Sequence, residues 1–293
     1  MKIGFFAIGI GTLTDPQPLR TIASHAERLG FASLWAPEHV VLLDRYASKY
    51  PYSAGEFPAP TDSPIGDPFT TLAFAAACTK TIRLATGISL LPEHNPLVLA
   101  KTIATTDRLS NGRIVLGVGI GWLREEFEAI GVPWEERAQR TREYVDVMRK
   151  LWSEERSSHD GKYVTFSGVR SFPKPANGKS VPVWFGGESG PALKRVAGYG
   201  DGWIGFNLAA DQAEAKIRRI EELLRTNGRE RSEVELAVCP YTNPIRAGDL
   251  ERYRDAGVDE VALFAIDMPK SEREIVARLE RMARDFVEPA AKL

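Results

Sequence analysis

The chain has 293 residues, with 38 basic against 39 acidic side chains and a formal net charge of −1. Neither sign is gathered into a long block, which argues against nonspecific nucleic-acid binding and against an anionic membrane surface as partner. The two cysteines, Cys78 and Cys239, are far apart in apolar settings, so a disulfide framework or a cysteine metal site is a poor reading.

Apolar, strand-like runs alternate with helical patterns from the start. Ile3 to Ile8 is the first predicted strand. Its run is too short for a membrane span and lacks a signal-peptide cleavage site, so a cytoplasmic protein is expected. Leu19 to Leu29 reads as a helix closed by Gly30, and Ser33 to Trp35 as a short second strand. The proline-rich segment from Pro37 to Pro68 is longer than ordinary connections, which marks it as a lid or binding loop. Asp67 and Pro68 then cap a helix over Phe69 to Cys78.

Ile82 to Ile88, a helix opened by Asn95 and Pro96, a turn at Asn111-Gly112 and a strand over Arg113 to Val118 make one βαβ unit. Helices over REEFEAIG and Trp134 to Trp152 follow, and HDGKYVTFSG resembles a β-hairpin. Val181 to Phe185 is a fifth strand and Ser189 to Tyr199 a helix. Strands at Gly202 to Gly205, Val234 to Val238 and Glu260 to Ala265 then alternate with helices at Asp211 to Thr226, Leu250 to Ala256 and Ser271 to Phe286. Eight strands alternating with helices, and no dinucleotide fingerprint after the first, predict an α/β fold. The expected form is a single (β/α)8 TIM barrel over residues 1–293, with insertions after strand two and before strand five.

A barrel puts function at the C-terminal strand ends, which carry Glu38, His39, Gly87, the 117–122 stretch, Gly186 and Gly187. Histidine can give or take a proton near neutrality, and a neighbouring carboxylate can orient it, although Glu38 and His39 point to opposite sides in extended chain. A lone histidine is more often structural; the strand-end position of His39 is what singles it out. Missing Cβ atoms at Gly87, Gly117 and Gly119 let a flat ligand approach the backbone, or simply make tight turns. Gly186-Gly187 ahead of a helix starting near Ser189 suits phosphate, though the same pair is a common turn. Trp122 could wall a pocket, whereas Trp35 and Trp203 belong to the core, and Asp107, Arg108 and Asn111 suit caps and surface pairs. The four histidines lack ligand-spaced partners, which argues against a metal.

WAPEHV, ATGISLLPEHNP, LAKTIATTDRLSNGRIVLGVGIGWLREEF and VPVWFGGESGPALKRVAGYGDGW together resemble the luciferase-like monooxygenase superfamily over nearly the whole chain. GVGIGWLREEFEAIGVPWEERAQRTREY is most similar to its F420-dependent oxidoreductases. The resemblance implies a TIM barrel, usually a homodimer, holding FMN or the deazaflavin F420 at its C-terminal face. It also implies a non-prolyl cis peptide matching Gly87-Ile88 against the ring. By that resemblance His39 is the catalytic residue, Glu38 and the Gly87-Ile88 peptide lie near the ring, and Gly186, Gly187 and Ser189 take the phosphate; Gly117, Gly119 and Trp122, read from their strand-end positions, are expected to join the cofactor site.

There are two departures. Trp122 stands where F420-dependent sugar-phosphate dehydrogenases carry a catalytic glutamate, and Ile120 where bacterial luciferases carry a phosphate-binding arginine. The implied activity is hydride transfer between F420 and a small organic substrate under the 37–68 loop, with His39 moving the proton. The alternatives are an FMNH2-dependent two-component monooxygenase and a barrel that binds cofactor without catalysis.

Overall fold

Short apolar runs ending at glycine or at a left-handed residue become the parallel strands of the computed structural model, which describes residues 1–52, 55–176, 178, 180–265 and 267–293. In chain order the first half comprises β1 (Lys2–Phe6), α1 (Pro16–Arg28), β2 (Ser33–Ala36), α2 (Pro68–Cys78), β3 (Arg83–Thr86), β4 (Ser89–Leu90), α3 (Pro96–Leu109), β5 (Ile114–Gly119), α4 (Arg124–Ala129) and α5 (Arg137–Ser153). A hairpin of β6 (Ser157–Asp160) and β7 (Thr165–Val169) follows. The second half comprises β8 (Val183–Gly186), α6 (Gly190–Tyr199), β9 (Gly202–Phe206), α7 (Ala210–Thr226), β10 (Glu235–Cys239), α8 (Asp249–Asp255), β11 (Glu260–Phe264), α9 (Glu272–Met282) and α10 (Glu288–Ala290).

The strands run in the order β3-β2-β1-β11-β10-β9-β8-β5, all pairs parallel, and a β3–β5 pairing closes the ring. This is the eight-stranded (β/α)8 barrel expected from the alternation. The predicted strand over 82–88 is interrupted: after Thr86 the peptide Gly87-Ile88 is cis, and the chain rejoins β5 through β4, Ser89 facing Val118. None of the helices among the described residues is long and apolar enough to cross a membrane.

Several boundaries differ from the sequence reading, for local reasons. Ala7 at φ 82 ends β1 before Ile8, and Glu136 at φ 57 delays α5 to Arg137. Ser189 is the N-cap of α6, its hydroxyl accepting from the Ala192 N–H at 3.3 Å. Asp107 is neither a cap nor a surface residue. It is buried, and its carboxylate accepts the N–H of Ile114 at 3.2 Å and of Ala176 at 2.9 Å, joining the α3–β5 turn to the chain after the hairpin.

Alternation along the strands sorts side chains to the two faces. Ile3, Phe5, Leu34 and Leu84 pack outward under the helices, while Phe6, Trp35, Ala85, Val115 and Trp184 fill the barrel. Trp35 and Trp203 are fully buried, as expected of core residues. Inside, Phe6 stacks on Trp35 at 6.2 Å, and Trp35 meets Trp184 at 5.6 Å.

Below these rings the strands begin with a polar plug. Glu260 is fully buried and accepts from the Ser33 hydroxyl and, at 2.9 Å, from the Trp35 indole N–H. Arg83 grips Glu235 through both terminal nitrogens at 2.8 and 3.0 Å, and Lys2 joins Glu235 at 2.6 Å. Burial pushes the Glu260 carboxyl upward against the hydrogen bond from Ser33 and the charge of Arg83.

Glu27, near the end of α1, ties that helix to the turn before β3 by accepting the N–H groups of Lys80 at 2.8 Å and Ile82 at 2.9 Å and that of Thr81 between them. Burial works against its charge, but these donors outweigh it and hold the carboxyl down to about 2. A folded-state value below the unfolded one contributes stability above about pH 4.5 that is lost as the pH falls towards 2. Glu27→Gln should therefore cost about 1 kcal/mol at pH 7, allowing for solvent screening at this half-buried site. The difference from wild type should close on acidification in urea denaturation curves.

Candidate active site

Past the C-terminal strand ends lies a cavity of about 480 Å³, within the usual range for small-molecule sites. Phe6, Ile88, Ile204 and Phe264 form its floor, and Tyr50, Phe57 and Trp122 are among its walls. Glu38, His39, Gly87, Ile88, Gly119, Trp122, Gly186, Gly187 and Ser189, all singled out from the sequence, border it. Gly117 does not border it. A Cβ there would collide with the Thr86 carbonyl oxygen, so this glycine serves the close packing of β5 on β3.

His39 follows β2 and is oriented from another element altogether. Its Nδ1 lies 2.8 Å from Oε2 of Glu126, a fully buried carboxylate in the first turn of α4. The other oxygen of Glu126 accepts the N–H of Val40 at 2.6 Å and of Val41 at 3.2 Å. Its neighbour Glu125 accepts the N–H of Ala47 at 2.6 Å and of Ser48 at 3.1 Å. The start of a helix favours these negative charges. With Nδ1 engaged, Nε2 is the nitrogen left for a ligand, and Phe57 and Trp122 meet the imidazole edge-on at 5.1 and 6.0 Å.

Glu38 points the other way, as extended chain requires. It receives the Leu90 N–H at 2.5 Å, the Ser89 hydroxyl at 2.9 Å and the His94 Nε2 at 2.9 Å. These bonds fasten β4, directly after the Gly87-Ile88 peptide. Burial disfavours the charged form of His94, but the hydrogen bond to Glu38 prevails and raises it above the usual histidine range. Behind both pairs sits Glu93, whose two oxygens are buried and, among the described residues, unpartnered. Burial first, then the charges of Glu126 and Glu38, push its carboxyl up to about 9.

Three glycines let side chains pack closely around Ile88 at the floor of the cavity. A Cβ on Gly119 would collide with the Ile88 side chain, one on Gly186 would press against it, and one on Gly87 would strike Phe6. No group of three or more His, Cys, Asp or Glu side chains among the described residues is placed to hold a metal ion.

A family model described as luciferase-like monooxygenase matches residues 1–283. The chain belongs to that family. An uncharacterized protein of Mycobacterium tuberculosis is 34% identical over 261 residues, spanning 88% of this luciferase-like chain and 90% of its own. An F420-dependent glucose-6-phosphate dehydrogenase of Intrasporangium calvum is 32% identical over 234 residues, 75% of this chain and 63% of that protein. Among solved structures, an F420-dependent secondary alcohol dehydrogenase in complex with an F420-acetone adduct superposes with a TM-score of 0.78 at 20% identity, over 99% of this chain and 98% of that one. At that identity the likeness is one of fold.

Sequence reasoning about this luciferase-like site missed Glu126 and Glu93. The acidic pair opening a short helix just past a strand end was the available signal for Glu126, and nothing local marks Glu93 as buried. Because the Glu93 carboxyl is held at about 9, the unfolded chain releases a proton that the folded one keeps, and stability falls as the pH rises from about 4.5 to 9. Glu93→Gln, which cannot ionise, should match wild type near pH 4 and be about 2 kcal/mol more stable at pH 7, with the gap widening above that. Chemical denaturation across this range tests it.

Proposed function

We propose that this protein is an F420-dependent oxidoreductase that transfers a hydride between the deazaflavin and a small organic substrate. The observation that carries the reading is His39, held by Glu126 at the rim of an apolar cavity lined by Phe6, Ile88, Ile204 and Phe264. The 32% identical F420-dependent relative supports the choice of cofactor. When bound, F420 supplies or takes up the hydride.

The protein's residues do the remaining work. Ile88 would back the ring, and Gly186, Gly187 and Ser189 would receive the phosphate-bearing side chain. Glu126 fixes the tautomer of His39, so that Nε2 gives a proton to, or takes one from, the substrate oxygen as the hydride moves. Phe57, Tyr50 and Trp122 shield that atom from water. Trp122 offers no carboxylate there, which speaks for an apolar alcohol or carbonyl compound rather than a sugar phosphate.

Tryptophan quenching under anaerobic conditions should show tight binding of F420 and weak binding of FMNH2. The reverse order would make the protein a two-component flavin monooxygenase, and binding of neither would overturn both readings. His39→Ala should lower kcat about 10²- to 10⁴-fold while changing the F420 Kd less than about 3-fold. Full turnover in this variant would remove His39 from the chemistry.

A further inference from the structure

A belt of touching aromatic rings runs along the cavity wall and begins at His39. Phe57 and Trp122 lie 6.1 Å apart, and Tyr50 meets both edge-on at 5.2 Å. From Tyr50 the belt passes to Tyr52 at 5.5 Å, then to Phe206 at 5.0 Å and Tyr241 at 4.6 Å. Most of these contacts are T-shaped, so the wall offers both ring edges and ring faces.

Tyr52, Phe206 and Tyr241 come from three separate stretches of chain, and Asn207 joins them. It follows β9 at φ 58, and its own N–H donates to the Cys239 carbonyl at 2.8 Å. Its Nδ2 donates to the Tyr52 carbonyl at 2.9 Å, while its Oδ1 accepts from the Thr242 hydroxyl at 2.7 Å and from Nδ2 of Asn243 at 3.1 Å. Asn207 does not itself line the cavity.

Nothing in the belt calls for a charged guest. Burial pushes the phenols of Tyr50 and Tyr52 upward, so both stay neutral. The carboxylates of Glu38, which lines the cavity, and of Glu126, which holds His39, already have donors on both oxygens.

We infer that the substrate carries an aryl ring next to its alcohol or carbonyl carbon, that the belt from Phe57 and Trp122 to Tyr241 selects that ring, and that Asn207 is a positioning residue for the belt. The place of the alcohol or carbonyl carbon rests on the proposed proton transfer at Nε2 of His39. A substrate oxygen at that atom leaves the adjoining group among Phe57, Trp122 and Tyr50. A saturated ring gains only burial there, whereas an aryl ring also pairs its edges and face with the wall. Each such pair is worth about 2- to 10-fold in affinity beyond the area buried.

Isothermal titration calorimetry with 1-phenylethanol and 1-cyclohexylethanol tests the selection, on the protein alone and on protein saturated with reduced F420, which cannot oxidise either alcohol. Burial alone favours the cyclohexyl compound, the more hydrophobic of the two. The phenyl compound should nevertheless bind about 10-fold or more tightly. Tyr50→Leu, which keeps an apolar side chain without the ring, should bring the ratio below about 3-fold by weakening phenyl binding alone. Asn207→Gly keeps the left-handed backbone while removing both side-chain ties, and it should do the same. A residue that only stabilises the fold would shift both affinities together or neither.

Equal or tighter binding of the cyclohexyl compound, binding of neither alcohol, or a phenyl preference undiminished in Tyr50→Leu overturns the inference, and the F420 reading survives if the cofactor still binds. A preference undiminished in Asn207→Gly alone overturns the role of Asn207. If F420 does not bind but the protein alone shows the phenyl preference and its dependence on Tyr50, the aryl site stands and the cofactor reading falls.

Discussion

One carboxylate, that of Glu126, holds two things in place. Its oxygens divide between the imidazole of His39 and the backbone N–H groups of Val40 and Val41, so His39 and the first turn of the long loop share an anchor. A buried carboxylate is tolerated only when its lone pairs are filled, and here three donors and a helix start fill them. Any movement that draws Val40 and Val41 away therefore also deprives His39 of the group that sets its tautomer. Glu125 extends the grip to Ala47 and Ser48, so α4 secures the loop at two places.

The two ends of the barrel solve opposite problems. At the strand starts Glu260, Ser33, Arg83, Glu235 and Lys2 form a polar plug in which Oε2 of Glu260 has only the Arg83 charge at 3.6 Å, and Phe6, Trp35 and Trp184 fill the space above. At the strand ends, glycine takes the place of bulk: Gly119 and Gly186 make room for Ile88, and Gly87 for Phe6. The interior is packed tightly at the strand starts, and a cavity opens at the strand ends.

Much of this was legible in the chain because it depends on local signals. Short apolar runs ending in glycine gave the strand count, Asp67-Pro68 and Asn95-Pro96 gave helix starts, and the position of His39 past a strand gave the first functional candidate. Pairings across long separations were not legible. Glu126 lies 87 residues from His39, and Asp107 lies 69 from the Ala176 amide that buries it, so no spacing announces either. Arg195 lines the cavity from α6, a placement that depends on closure of the barrel and not on local spacing. Gly117 shows the converse, a strand-end glycine whose missing Cβ serves the neighbouring backbone.

The packed interior has a kinetic consequence. With Phe6, Trp35 and Trp184 closing the barrel below Ile88, ligands come and go on the loop side. A ring lying on Ile88 is covered by whatever next occupies the space beneath Phe57 and Trp122. A molecule seated deepest in this cavity must then arrive before, and depart after, anything that lies above it.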